Sequence, residues 1–175
     1  LVKSSAASDV YKRQILTQEA VGNTIFKDNF ENPKKWQFIS DQVMGGISTG
    51  KVEFFNENNN LYARLTGNVS TENKGGFIQI RRKLEKSSLK GTKFIKITAK
   101  GNNQNYFIHL RTSGTLLPWQ YYQISFKVVN DYKIFKLPIN EFKRSSIFLS
   151  KKINPENITS VGVVAFGRDH SADIY

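Results

Sequence analysis

Short runs in which apolar and polar side chains alternate recur along almost all of this 175-residue chain, while helical periodicity is weak throughout. A period of two places successive side chains on opposite faces of an extended strand, so the pattern favours sheets with one dry and one wet face. The runs span 24–30, 51–55, 61–66, 76–84, 93–100, 104–111, 121–128, 133–137 and 160–166. Turn formers separate them: the asparagine-rich 56–60, Asn73-Lys74-Gly75-Gly76, Gly101-Asn102-Asn103 and Asn130-Asp131. Only 138–143 and 155–158, each opened by a proline, suggest a helical turn. Many short strands at similar spacing predict an all-β chain, an antiparallel β-sandwich of the jelly-roll kind.

One domain is the natural reading of this length, with a core that needs neither metal nor disulfide. Zero cysteines exclude disulfides, thiolate zinc sites and a cysteine nucleophile, but leave the compartment open. No stretch approaches the roughly 20 apolar residues that span a bilayer as a helix. Residues 1–14, Ser/Ala-rich and closing on Asp9-Val10-Tyr11-Lys12-Arg13-Gln14, look like the translation of a sequencing adapter and read as a non-native scar. Residues 15–23 then form a lead-in, and 24–175 a single domain. The run from Ser171 to Tyr175 reads as a strand just begun, as if the C-terminus were cut. Of the net charge of +12, Lys3, Lys12 and Arg13 against Asp9 contribute +2. The remaining lysines are spread along alternating positions, as on a solvated sheet face, and only Arg81-Arg82-Lys83 forms a tight basic run. Such spacing argues against a nucleic-acid footprint.

Alternation sorts the strands into faces. Tyr106, Ile108 and Leu110 oppose Phe107, His109 and Arg111; Tyr122, Ile124, Phe126 and Val128 oppose Tyr121, Gln123, Ser125 and Lys127. Ile78, Ile80 and Leu84 oppose Phe77, Gln79 and Arg81, and Leu61, Ala63 and Leu65 oppose Tyr62 and Arg64. The apolar sets predict the core. With those strands in one sheet, the other sets predict a face of Tyr62, Arg64, Gln79, Arg81, His109, Arg111, Tyr121 and Gln123. Planar rings, guanidinium forks and amides suit a sugar or a protein partner, with an ordinary solvated face as the competing reading. Trp119 adjoins this set, either exposed to stack on a ligand or buried at the sandwich edge. The run 160–166 is apolar on both faces and predicts a covered inner strand.

No recognisable catalytic constellation stands out. There is no nucleophile elbow, phosphate loop or paired Cys/His spacing. Asp41 and Glu72 offer a carboxyl pair of low specificity, and His109 in mid-strand is more often a surface or half-buried side chain than a base. Asp28, Glu31 and Asp173 offer oxygens for calcium without loop-ligand spacing. The sequence therefore gives no basis for assigning a cofactor or a metal. The segment 40–50 has Gly45-Gly46 between Asp41 and Ser48, beside the sole methionine, Met44. Adjacent glycines permit close backbone approach, so the segment reads as a tight joint or a recognising lip.

Several motifs taken in order resemble the NADH:ubiquinone oxidoreductase (complex I) intermediate-associated protein family. They are Ser40-Asp41-Gln42-Val43-Met44-Gly45-Gly46-Ile47-Ser48 and the stretch 65–77, which holds Glu72-Asn73-Lys74-Gly75-Gly76. Phe107-Ile108-His109-Leu110-Arg111, Tyr121-Tyr122-Gln123, Phe135-Lys136-Leu137-Pro138 and Ile158-Thr159-Ser160-Val161-Gly162 follow. The resemblance implies a fold similar to galactose-binding-like jelly rolls and some carbohydrate-binding modules. It implies binding without catalysis, since mitochondrial members act as chaperone-like factors in complex I assembly. It carries over no catalytic residue. The expectation is a non-enzymatic domain holding a protein partner. A carbohydrate-binding module using Trp119, Tyr121 and Arg111 is the alternative, and a hydrolase using Asp41, Glu72 or His109 a distant third.

Overall fold

The computed structural model describes residues 24–57 and 59–175. Their strands are β1 (Trp36–Ser40), β2 (Thr49–Glu57), β3 (Asn60–Val69), β4 (Phe77–Lys83), β5 (Phe94–Ala99), β6 (Asn105–Thr112), β7 (Tyr122–Lys127), β8 (Lys133–Pro138), β9 (Lys143–Arg144), β10 (Ile158–Phe166) and β11 (His170–Ile174). All pairings are antiparallel. One sheet has six strands in the order β1-β4-β10-β6-β7-β9. The other layer joins the ribbons β11-β3-β2 and β5-β8. Lys100 and Tyr175 exchange backbone hydrogen bonds at 3.1 and 2.9 Å, and Gly101 bridges Ile174, so β5 lies beside β11. The result is an antiparallel β-sandwich.

The alternation read from the sequence decides what lies between the layers. Ile78, Ile80, Tyr106, Ile108, Leu110, Tyr122, Phe126 and Val163 point inward from the six-stranded sheet, and Ala63, Leu65, Ala99, Leu137, Ala172 and Ile174 from the other layer. β10 runs between β4 and β6 and is sheltered on both faces: Val163 packs in the core, while Val164 is fully buried on the far side. That is the covered inner strand expected of its double-sided apolar pattern. The two proline-led turns are short 3-10 segments, Ile139–Glu141 and Pro155–Asn157.

One expected strand is absent, and one strand was not foreseen. The run 24–30 forms no strand, because the Asp28 carboxylate accepts a hydrogen bond from Phe30 N at 2.8 Å and Phe30 turns to a φ of 59°. Trp36–Ser40, too short to show a period, is the edge strand β1. The run read as a strand just begun does fall on a strand, β11, registered along β3 from His170 opposite Val69 to Ile174 opposite Leu65, with Tyr175 just past its end. The readings of 1–14 and 15–23 lie outside the described residues. Among the described residues no helix is long and apolar enough to cross a membrane.

Tyr106 ties the layers together. Its ring is fully buried, and its hydroxyl donates to Asn102 Oδ1 at 2.8 Å while accepting from Asp173 N of β11 at 2.7 Å. Burial pushes this phenol up to about 12, so it stays protonated over the physiological range. Tyr106→Phe leaves a strand N–H without its acceptor and is expected to cost about 1–2 kcal/mol. Ile108→Ala, with the side chain 1% exposed, is expected to cost about 3 kcal/mol. Urea unfolding of the two variants checks both figures.

Candidate functional site

The 40–50 segment is a joint built around one carboxylate. β1 ends in the 3-10 turn Asp41–Met44, which buries Asp41 completely. Asp41 accepts from Ser48 N at 2.9 Å, Ser48 Oγ at 2.5 Å, Gly76 N at 2.5 Å and Phe77 N at 3.2 Å. Burial alone would raise its pKa. The bonds from Gly76, Ser48 and Phe77 outweigh burial and hold it below the ordinary 3.8. Ser48 Oγ in turn accepts from Ser70 N at 3.0 Å. A Cβ on Gly46 or Gly75 would collide with the Asp41 carboxyl, so glycine at both positions is a matter of space. Gly45 and Gly76 stand at φ of 87° and 124°, where side chains are disfavoured.

Around this joint, Asn73 takes φ 55°, and Thr71 donates through N and Oγ1 to Asp169 Oδ1 at 2.7 and 2.8 Å. Met44 is half exposed and Glu72 is exposed. With its oxygens engaged by four donors, Asp41 is poorly suited to proton transfer beside Glu72. Nor do the calcium candidates share a site: Asp28 bonds Arg82 and Trp36 Nε1, whereas Asp173 makes a bidentate pair with Arg64 at 2.9 Å.

The predicted binding face is assembled only in part. Gln79 and Arg81 on β4, His109 and Arg111 on β6, Tyr121 just before β7 and Gln123 on β7 all lie on the outer face of the six-stranded sheet. Arg81 is opposite Gly162, Gly162 opposite His109, and His109 opposite Gln123, which makes one row across four strands. Tyr62 and Arg64 do not join it. They stand on β3, in the other layer, where Tyr62 stacks between Phe55 and Tyr132 at 5.6 and 5.3 Å. The period-two pattern identified which way these side chains face relative to their strand, but it carries no information on which sheet the strand joins.

On the outer face the rings cluster. His109 and Tyr121 stack at 4.0 Å and 10°, with Phe166 edge-on to both and Phe107 beside them. No carboxylate occupies an outward position of these six strands. Burial lowers the pKa of Arg81; it does the same for Arg111, with the Arg81 charge adding to the effect. The Arg111 guanidinium donates to the carbonyls of Thr115, Leu117 and Pro118 at 3.3, 2.9 and 3.3 Å. Among the described residues Arg81 has no carboxylate or hydrogen-bond partner. His109 Nε2 and Gln123 Oε1 are likewise buried without partners. Trp119 is 59% exposed at the margin, in the loop that Arg111 braces. An open groove of about 770 Å³ adjoins the rings, lined by Phe107, Gln123, Glu141, Lys143 and Lys151. Sequence reasoning put Phe107 on the parity of this face without naming it among the binding residues, and it missed Phe166.

The family model described as complex I intermediate-associated protein 30 matches residues 24–172. No curated protein matches the chain. Among solved structures, a family 11 carbohydrate-binding module of a cellulosomal cellulase of Clostridium thermocellum is similar at 15% identity and a TM-score of 0.64, over 84% of this chain and 86% of that one. A second structure of a family 11 module from Clostridium thermocellum, in complex with a β-1,3-1,4-mixed-linked tetrasaccharide, is also 15% identical, with a TM-score of 0.64, over 85% and 88%. The agarase AgWH50C is 8% identical with a TM-score of 0.54, over 85% of this chain but 23% of its own. At such identities the likeness is one of fold.

Two outcomes follow from the joint and the face. Gly46→Val is expected to lower stability by about 3 kcal/mol or more, because the Asp41 network must open to admit it; thermal melting of the variant measures this. His109 is pushed down to about 4, chiefly by burial. The unfolded chain therefore takes up this proton first, below about 6.5, so stability climbs with pH between about 4 and 6.5 and levels off above. Unfolding free energy at pH 5 should lie about 2 kcal/mol below that at pH 7.5. His109→Gln should remove most of that difference, leaving a smaller part from His170, whose pKa burial also lowers.

Proposed function

Since the chain belongs to the complex I intermediate-associated protein 30 family, we propose that it is a non-catalytic binding domain that holds a protein partner on the outer face of its six-stranded sheet, as an assembly or chaperone-like factor. The observation that carries this reading is a half-buried Arg81 with no anionic partner, set beside Arg111 and a four-ring cluster on a face without carboxylates. Tyr and Arg are the side chains that dominate protein interfaces, and a desolvated guanidinium is most stabilised by a partner that supplies an acid. The partner is accordingly an acidic protein surface.

A glycan is the second reading, favoured by the parallel His109–Tyr121 stack flanked by Gln79, Gln123 and Trp119, an arrangement of rings and amides that suits a sugar. A module of similar fold occurs with a bound tetrasaccharide. Affinity capture from the native host decides between the two. Capture of a reproducible acidic protein, lost in Arg81→Glu while the melting temperature holds, is the expected result. Glycan-array binding that disappears in Trp119→Ala, with no protein captured, would establish the second reading instead.

A further inference from the structure

Beyond that face, two loops stand side by side at the edge of the six-stranded sheet. Ser145 N donates to Tyr121 O at 2.9 Å, Tyr121 N donates to Ser145 Oγ at 2.9 Å, and Ser145 Oγ donates to Trp119 O at 2.7 Å. The loops project five large apolar side chains: Leu116 at 83% exposure, Leu117 at 42%, Trp119 at 59%, Ile147 at 79% and Phe148 at 85%. Apolar residues scattered singly over a surface are ordinary, but five on two adjoining loops are not.

These loops are braced from below. Arg111 binds three carbonyls of the first, the Gln120 side chain accepts from Leu116 N and Leu117 N at 2.9 and 3.0 Å, and Arg144 binds the carbonyls of Ile147 and Leu149. With so many backbone groups satisfied internally, the tips can leave water at little polar cost.

The charges around the tips share one sign. From 142 to 155 the only ionisable side chains are Lys143, Arg144, Lys151 and Lys152, and residues 112–126 contain no charge at all. Glu141 is the one carboxylate lining the adjoining groove with Lys143 and Lys151. Protruding Leu, Ile and Phe, an indole whose N–H suits a headgroup layer, and a cationic shoulder are together the chemistry of an anionic lipid interface.

We propose that this lip docks the domain on an anionic membrane surface, with the five side chains in the interface and the four basic residues over lipid headgroups. Arg81, on β4, lies three strands from β7 and outside the lip. Co-sedimentation of the full chain with vesicles of phosphatidylcholine, and of phosphatidylcholine with about a third phosphatidylserine, tests the proposal. Partitioning at least tenfold stronger onto the anionic vesicles is expected, with a blue shift of tryptophan emission that Trp119→Phe abolishes. Ile147→Ser with Phe148→Ser should weaken that partitioning about tenfold at an unchanged melting temperature, and Lys151→Glu with Lys152→Glu should do likewise.

Anionic binding that survives the Ile147/Phe148 change intact would reveal only the adsorption of a basic chain and would overturn the proposal. So would an absence of vesicle binding, or self-association abolished by the same two changes, which would make a second copy the occupant. Loss of vesicle binding with capture of an acidic protein intact would sink the lip alone, because Arg81 lies outside it.

Discussion

A single buried carboxylate organises the places where this sandwich is most easily lost. Asp41 gathers the end of β1, the approach to β2 and the approach to β4 through four donors, two of them backbone N–H groups some 35 residues further along the chain. An ionised group stripped of water is costly unless its lone pairs are filled. Here the donors win, as the depressed pKa shows. β1 then enters the sheet in the one register that sets Ser40 opposite Ile78. With β1 fixed, β4 has neighbours on both sides, and the row from Arg81 to Gln123 is held at constant spacing. The family motif therefore underlies the outer face of the six-stranded sheet without being part of it.

The contrast between the two outer faces shows what residue type leaves unsaid. Arg64 and Arg81 are both guanidinium groups on outward positions of inner strands. Arg64 is saturated, paired with Asp173 and lying 4.7 Å over the ring of Tyr175. Lys100 sits over Tyr132 and Tyr175 in the same cluster. Arg81 has no such company. Arg64 has its bonding capacity filled, while Arg81 retains capacity that nothing on its own sheet fills.

Legibility in the sequence followed the range of the physics. Strand runs and inward sets depend on local alternation and turn residues: 51–55, 61–66 and 160–166 fall within strands, while 93–100 overruns β5 by one residue at each end and 104–111 begins one residue before β6. The segment with Asp41 and Gly45-Gly46 was visible as a joint or a recognising lip from its paired glycines beside a short acid, while the approach of Gly75 to Asp41, some 34 residues along the chain, was not. Sheet membership depends on pairings distant in sequence, so Tyr62 and Arg64 were grouped with a face they do not share. The lip was hidden for a different reason: Leu116-Leu117 and Ile147-Phe148-Leu149 have the composition of core, and of these Leu149 alone is buried. Nothing local separates an apolar residue that packs from one left outside.

The position of β11 bears on how the fold is reached. It is the last strand in the described sequence, yet it fills the slot between β3 and β5 and supplies Asp173 N to the Tyr106 hydroxyl. Until residues 170–175 have left the ribosome, β3 has a bare edge, the β5-β8 ribbon has no neighbour, and the core is open along its middle. Closure of the second layer is thus a late, long-range event of the slow kind. Through that interval β3 presents an unpaired strand edge, the hazard that chaperones exist to shield.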